Sequence, residues 1–141
     1  MKASGVKDNT TSDSVKNCWA KIKSANGADF FIDQFYDLMF TLHPETHSFF
    51  PANLQEQKTS LLTTLDNVIN GIEYLTELEK ELIELGQRHK DIGITKDMYD
   101  AFVTTIVETA NRSSNYSLTD KELIAWEDAF RKVSNIMLKA Y

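Results

Sequence analysis

At 141 residues the chain is sized for one domain, and its 42% hydrophobic content points to a large aromatic core or a bound apolar group. Fifteen Lys and Arg against 21 Asp and Glu leave a formal charge of −6, which removes any general attraction to phosphate backbones or anionic lipid, so neither nucleic acid nor a membrane is an expected partner. The single cysteine, Cys18, excludes an internal disulfide. Met1–Ser14 lacks the apolar core of a signal peptide, and no run approaches the roughly 18 apolar residues of a spanning helix, so a cytoplasmic location is expected.

In chain order the pattern is helical nearly throughout. A short polar extension, 1–13, precedes a domain expected over 14–141. Val15, Cys18, Trp19 and Ile22 follow the i, i+3, i+4, i+7 rule, with Ser12 or Ser14 as candidate N-cap. After a break at Asn26-Gly27, Phe31, Phe35, Leu38, Met39 and Leu42 repeat it. His43-Pro44 interrupts, because the residue before proline is pushed out of the α region, and Pro44 then opens a short helix towards Phe49-Phe50 that Pro51 ends.

A longer helix follows, with Leu61, Leu62, Leu65, Val68, Ile69 and Ile72 on one side. Another carries Leu75, Leu78, Leu82 and Leu85 into a last turn of Arg88, His89 and Lys90, where cations suit the helix dipole. Gly93 supplies a turn before a helix presenting Tyr99, Phe102, Val103, Ile106 and Val107. A polar loop is expected at Asn111 to Asn115, and the final helix starts near Thr119 and carries Leu123, Trp126, Phe130, Val133 and Met137. Alternation of period two is absent, so the fold class is all-α. A short proline-started helix between two long ones favours helices packed around a pocket over an up-down bundle.

Three sequons begin at Asn9, Asn111 and Asn115, and without a secretion signal they read as chance. Of three histidines, His43 and His47 stand four apart, a spacing metal ligands can use. Pro44 breaks a regular helix through both, and no HExxH motif or cysteine pair supports zinc, so they read as polar residues of a solvent-facing turn. His89 lies one turn after Leu85 on an amphipathic face. Periodicity alone leaves it open as a hydrogen-bonded core histidine or a ligand to a metal such as haem iron.

The stretch Phe35-Tyr36-Asp37-Leu38-Met39-Phe40-Thr41-Leu42-His43-Pro44-Glu45 resembles the Phe-Tyr-x-x-Phe…Pro-Glu segment of bacterial globins. Leu85-Gly86-Gln87-Arg88-His89-Lys90, with Gly93-Ile94 and Tyr99, resembles the proximal region of the same group, and Trp126 matches its last helix. The nearest likeness is to flavohaemoglobin globin domains and their single-domain relatives, and it extends from about residue 14 to the end. It implies a three-on-three helical sandwich around haem b.

Carried over residue by residue, the resemblance makes His89 the proximal iron ligand and Phe50 the aromatic side chain that packs flat on the haem. Tyr36 and Gln57 become distal hydrogen-bond donors to a bound gas. Leu61 lines the distal wall, Leu85 and Ile94 lie on the proximal side, and Tyr99 joins a hydrogen-bonding network around His89. Members of the group usually carry a glutamate near the end of the last helix to complete that network, and here a gap-free alignment from Trp126 puts Tyr141 in its place. A strong anionic push on the ligand is therefore not expected.

The implied function is reversible binding of O2, NO or CO. Any NO detoxification would need an external reductase. A gas sensor acting through a partner, and a haem-free globin-like interaction module, are the alternatives. Oligomeric state stays open.

Overall fold

The computed structural model describes residues 10–141. Among them run α1 (Thr10–Ala25), α2 (Ala28–Leu42), α3 (Gln55–Asn70), α4 (Glu79–Asp91), α5 (Lys96–Ser113) and α6 (Asp120–Met137), with no strand. Short 3-10 segments fill the chain at Pro44–Phe49, Ile72–Leu78 and Leu138–Ala140. None of the described helices is long and apolar enough to cross a membrane.

Residues 1–9, with most of the expected extension and the sequon at Asn9, lie outside the described residues. Residues 10–13 form the first turn of α1, so neither Ser12 nor Ser14 is a cap. Both are buried inside the helix. The apolar face explains the difference, since Ser12 stands three before Val15 and Ser14 four before Cys18, and Val15 and Cys18 are fully buried.

The break at Asn26-Gly27 and the proline-started segment are where the sequence put them, although Pro44–Phe49 is 3-10 rather than α. The region before α4 departs from expectation. α3 stops at Asn70, where the Gly71 N–H bonds the Asn67 carbonyl at 3.0 Å, so Ile72 is not part of it. The expected helix from Leu75 splits into the 3-10 segment Ile72–Leu78, in which Tyr74 leaves helical geometry (φ −127°, ψ 36°), and α4 from Glu79.

The polar loop begins later than expected, because α5 runs on through Asn111 to Ser113. Its buried hydroxyls are satisfied along the helix itself: Thr105 donates to the Ala101 carbonyl, Thr109 to Thr105 and Ser113 to Thr109, each at 2.7 Å. Such bonds let a polar stripe stay helical inside a core. The reversal instead falls at Asn115 and Tyr116, with φ of 58° and 59°.

α6 starts behind Thr119 with a full capping box: the Glu122 N–H donates to Thr119 Oγ1 at 3.1 Å, and Glu122 Oε1 accepts the Thr119 N–H at 2.8 Å. Burial opposes ionisation of Glu122. Hydrogen bonds from Lys21 and from Thr119 outweigh it and hold the carboxyl below the ordinary range.

α1 packs on α6, α2 on α5, and both α4 and α5 on α6. Where α1, α2 and α6 meet, Trp126 and Phe31 are fully buried, and Trp19 stacks on Trp126 with centroids 6.1 Å apart. Each indole N–H is used: Trp19 Nε1 donates to Asp66 at 2.9 Å, and Trp126 Nε1 to the Ile106 carbonyl at 3.2 Å. At the other end of the fold, between α3 and α4, the packing opens.

Candidate functional site

The opening is a cavity of about 230 Å³. Stripes at helical spacing face it from several helices: Phe35, Tyr36 and Met39 on α2, Leu82, Leu85 and His89 on α4, and Phe130, Val133, Ser134 and Met137 on α6. From α3 come Gln57, Ser60, Leu61, Thr64, Leu65 and Val68, and this i, i+3, i+4 rhythm is the signal by which Ser60 and Thr64 could have been found from sequence. Ser134 and Met137 follow the same rule from Phe130. Thr46, in the 3-10 segment, has no such signal. Its hydroxyl is spent on the His43 carbonyl at 2.7 Å.

The structure brings every residue expected at the site to this one cavity. Tyr36, Phe50, Gln57 and Leu61 lie on the side of α2 and α3, and Leu85, His89, Ile94 and Tyr99 on the side of α4 and α5. His89 Nδ1 is 2.8 Å from the Leu85 carbonyl. A carbonyl can only accept, so Nδ1 carries the proton, and the neutral ring keeps its lone pair on Nε2. Burial holds the imidazole below its ordinary value. The Leu85 bond opposes that and neighbouring Arg88 adds to it, so the ring is neutral near pH 7. A buried, tautomer-fixed nitrogen donor in an apolar cavity suits a metal centre that brings its own equatorial ligands.

Gly86 explains how α4 comes so close to α6. A Cβ there would stand 2.1 Å from the Met137 carbonyl oxygen and 2.8 Å from its carbon. The sequence reading treated Gly86 only as part of a motif. Its place is a helix–helix contact one turn before His89. Gly93, at φ 96°, turns the chain between α4 and α5.

On the facing wall, Tyr36 is 4% exposed and sits among rings, edge-on to Phe35 at 5.3 Å and to Phe50 at 5.6 Å. Burial pushes its phenol up to about 12, so it is a proton-bearing donor across the physiological range. The hydroxyl donates to the backbone carbonyl of Gln57 at 3.4 Å. Gln57 was expected to offer its side-chain amide. It is an exposed residue at the rim of the cavity, and what Tyr36 meets is its main chain.

Tyr99 is buried with a hydroxyl that meets no hydrogen-bond partner among the described residues. Burial first, then the nearby Tyr141 hydroxyl, raise its phenol far above the ordinary value, although the two hydroxyls fall short of hydrogen-bond geometry. Tyr141 instead donates to the Ile94 carbonyl at 2.7 Å. An orphaned buried hydroxyl costs about 1–3 kcal/mol, which is tolerable where a ligand or water meets it. His43 and His47 lie apart from this cavity: His43 Nδ1 is 3.8 Å from Glu45, and the His47 ring packs edge-on to Phe40 at 4.4 Å.

A family profile described as Globin matches residues 33–137. No curated protein matches the chain. Among solved structures, a bacterial globin from Campylobacter jejuni superposes with a TM-score of 0.79 at 20% identity, covering 92% of this chain and 93% of that one. Globins typically bind haem and small gaseous ligands such as O2. With about three quarters of its length matched by the profile, and the same fold in the Campylobacter protein, this all-α chain belongs to the globin family.

Proposed function

We propose that the chain binds haem b with His89 as the proximal ligand to iron, and through it reversibly binds O2 or NO. The observation that carries this reading is the His89 Nδ1–Leu85 carbonyl bond of 2.8 Å, which leaves Nε2 as the free nitrogen of a cavity-lining residue. Haem, when bound, would supply an iron that takes up a diatomic gas, and His89, Phe50, Leu61, Leu85 and Ile94 would hold it. Everything else falls to the chain.

Phe50, Leu61, Leu85 and Ile94 line the cavity and would hold an apolar plate by burial, at about 25 cal/mol per Å² of apolar area. Tyr36 presents a protonated hydroxyl at an apolar cavity wall, where hydrogen bonds to a partly anionic ligand are stronger than in water. Gln57 positions that hydroxyl through its carbonyl. Around His89 the acceptor is the neutral Leu85 carbonyl, and among the described residues no carboxylate is hydrogen-bonded to the ring, which favours holding a ligand over cleaving it. NO detoxification, a secondary part of this reading, would consume electrons supplied by a reductase. A cytoplasmic setting belongs to the same reading. A haem-free interaction module is less well supported, since such a protein has no use for a hollow core with an unpartnered phenol at its wall.

The test is an absorption spectrum of the reduced protein with and without O2, CO and NO, repeated on His89→Ala. A histidine-ligated ferrous haem that changes with each gas, and is lost in the variant, is the expected result. Protein that stays colourless when supplied with haemin, or a variant with unaltered axial coordination, would overturn the proposal.

A further inference from the structure

Asparagine followed by glycine occurs at 26–27 and at 70–71, and each pair stands at a corner where a helix ends. Both asparagines are exposed. In such a pair the glycine nitrogen can attack the side-chain amide carbon of the asparagine, because no Cβ on the second residue blocks the approach. The two corners differ in what surrounds that nitrogen.

At the second corner the Gly71 N–H is spent on the Asn67 carbonyl at 3.0 Å, and a Cβ on Gly71 would crowd Leu78 Cδ1 at 3.1 Å and the Asn67 oxygen at 3.2 Å. At the first corner the backbone bonding of α1 stops with the Asn26 N–H on the Ile22 carbonyl, at 3.2 Å, and the Gly27 N–H meets no acceptor among the described residues. Gly27 has φ 88°, and a Cβ there would find nothing within 4 Å. Its nitrogen is therefore unbonded and uncrowded.

What restrains Asn26 is its side chain. Nδ2 donates to the Ser113 carbonyl at 2.8 Å and to Asn115 Oδ1 at 3.1 Å. These bonds tie the corner between α1 and α2 to the corner between α5 and α6, where Asn115 and Tyr116 reverse the chain with positive φ. The Ser113 carbonyl can only accept, so the tie needs a donor at position 26.

The geometry points to Asn26 as a deamidation site: attack by the Gly27 nitrogen converts its amide to a carboxylate and releases the tie between the two corners for good. The Gly27 N–Cγ bond forms as Cγ–Nδ2 breaks, and the glycine proton leaves with Nδ2 as ammonia. Water then opens the cyclic imide at Cγ, giving aspartate, or at the main-chain carbonyl, giving isoaspartate. Either carboxylate only accepts, so its bond to the Ser113 carbonyl cannot re-form. The clamped amide has to leave its acceptors before its carbon is attacked, and local opening of the corner sets the pace. Nothing in this chemistry depends on haem.

The test incubates haem-free parent protein in warm, mildly alkaline buffer and follows aspartate and isoaspartate at both pairs by peptide mapping. Conversion at Asn26 should outrun conversion at Asn70, a comparison that needs no variant. Asn115→Gly tolerates the positive φ and deletes one of the two acceptors. It should speed conversion at Asn26 by about three- to tenfold, the scale of one net hydrogen bond, and leave Asn70 as it was. Asn26→Asp copies one product, and should accelerate hydrogen exchange at the Asn115 and Tyr116 amides by a similar factor while exchange along α3 and α4 stays unchanged. Conversion at Asn70 that equals or exceeds that at Asn26 would overturn the assignment, as would an Asn115→Gly rate no faster than the parent's. Exchange in Asn26→Asp that matches the parent, or acceleration spread over all helices, would overturn the release of the tie.

Discussion

The two ends of this molecule solve opposite packing problems with the same kind of residue. Where α1, α2 and α6 meet, Trp19, Phe31, Trp126 and Phe130 fill space completely, their centroids are 4.9–6.1 Å apart, and both indole N–H groups have acceptors. Between α3 and α4, Phe, Leu and Met side chains line a cavity instead, and a buried hydroxyl has no partner among the described residues. Empty apolar space forfeits dispersion contacts and costs stability, so proteins keep it where something occupies it. The solid end holds the frame so that the hollow end can stay hollow.

The largest effect that tests this contrast is at Trp126. Fully buried and in contact with Trp19, Phe31 and Phe130, it should cost about 3–5 kcal/mol when cut to Ala, measured by urea unfolding of the haem-free protein. Leu85→Ala in the same assay should cost about 1 kcal/mol or less, because one side of Leu85 already faces the cavity. Equal costs would mean that the haem-free protein collapses around its void and that the two ends do not differ.

An intermediate effect is expected at Gly86, where the solid frame meets the hollow site. Helix propensity alone favours Ala over Gly by about 1 kcal/mol in a helix interior. The Met137 backbone standing 2.1 Å from a Cβ at this position cannot swing aside as a side chain would. Gly86→Ala should therefore destabilise the haem-free protein by about 1–3 kcal/mol, the range of overpacking. It should also displace α4 and weaken haem retention. A variant more stable than the parent would show that α4 approaches α6 less closely than described.

These contrasts also mark what a sequence can disclose. Helical stripes such as 57, 60, 61, 64, 65 and 68 are legible because burial on one face imposes a period, whichever wall they face. The cavity itself is not, since Leu65 against a void and Leu65 against a neighbour have the same pattern. Gly86 stood only as part of a motif because the reason for a glycine there lies on α6, far away in sequence. The Gln57 carbonyl could not have been foreseen as the partner of Tyr36, because backbone groups are the same at every position. Ser12 and Ser14 misled for a related reason. Serine is a good cap in isolation, and only the depth of α1 in the core decides that the helix starts earlier.

The smallest effect isolates the hydroxyl of Tyr36, a single atom at the wall of the hollow end. Its bond to the Gln57 carbonyl is long, at 3.4 Å, so turning towards a ligand sacrifices little. Tyr36→Phe preserves the edge contacts with Phe35 and Phe50 and removes only the donor, so folding stability should barely change. In haem-loaded protein the O2 dissociation rate should rise at least about tenfold, equivalent to about 1.4 kcal/mol. With the phenol pushed up to about 12 by burial, the parent keeps its donor across the neutral and mildly alkaline range, and the ratio of the two rates should be flat there. A ratio near one at every pH would show that the hydroxyl stays on the Gln57 carbonyl when gas is bound. A ratio that declines well below the phenol's range would mean that water reaches Tyr36, and the hollow end would then be wet rather than dry.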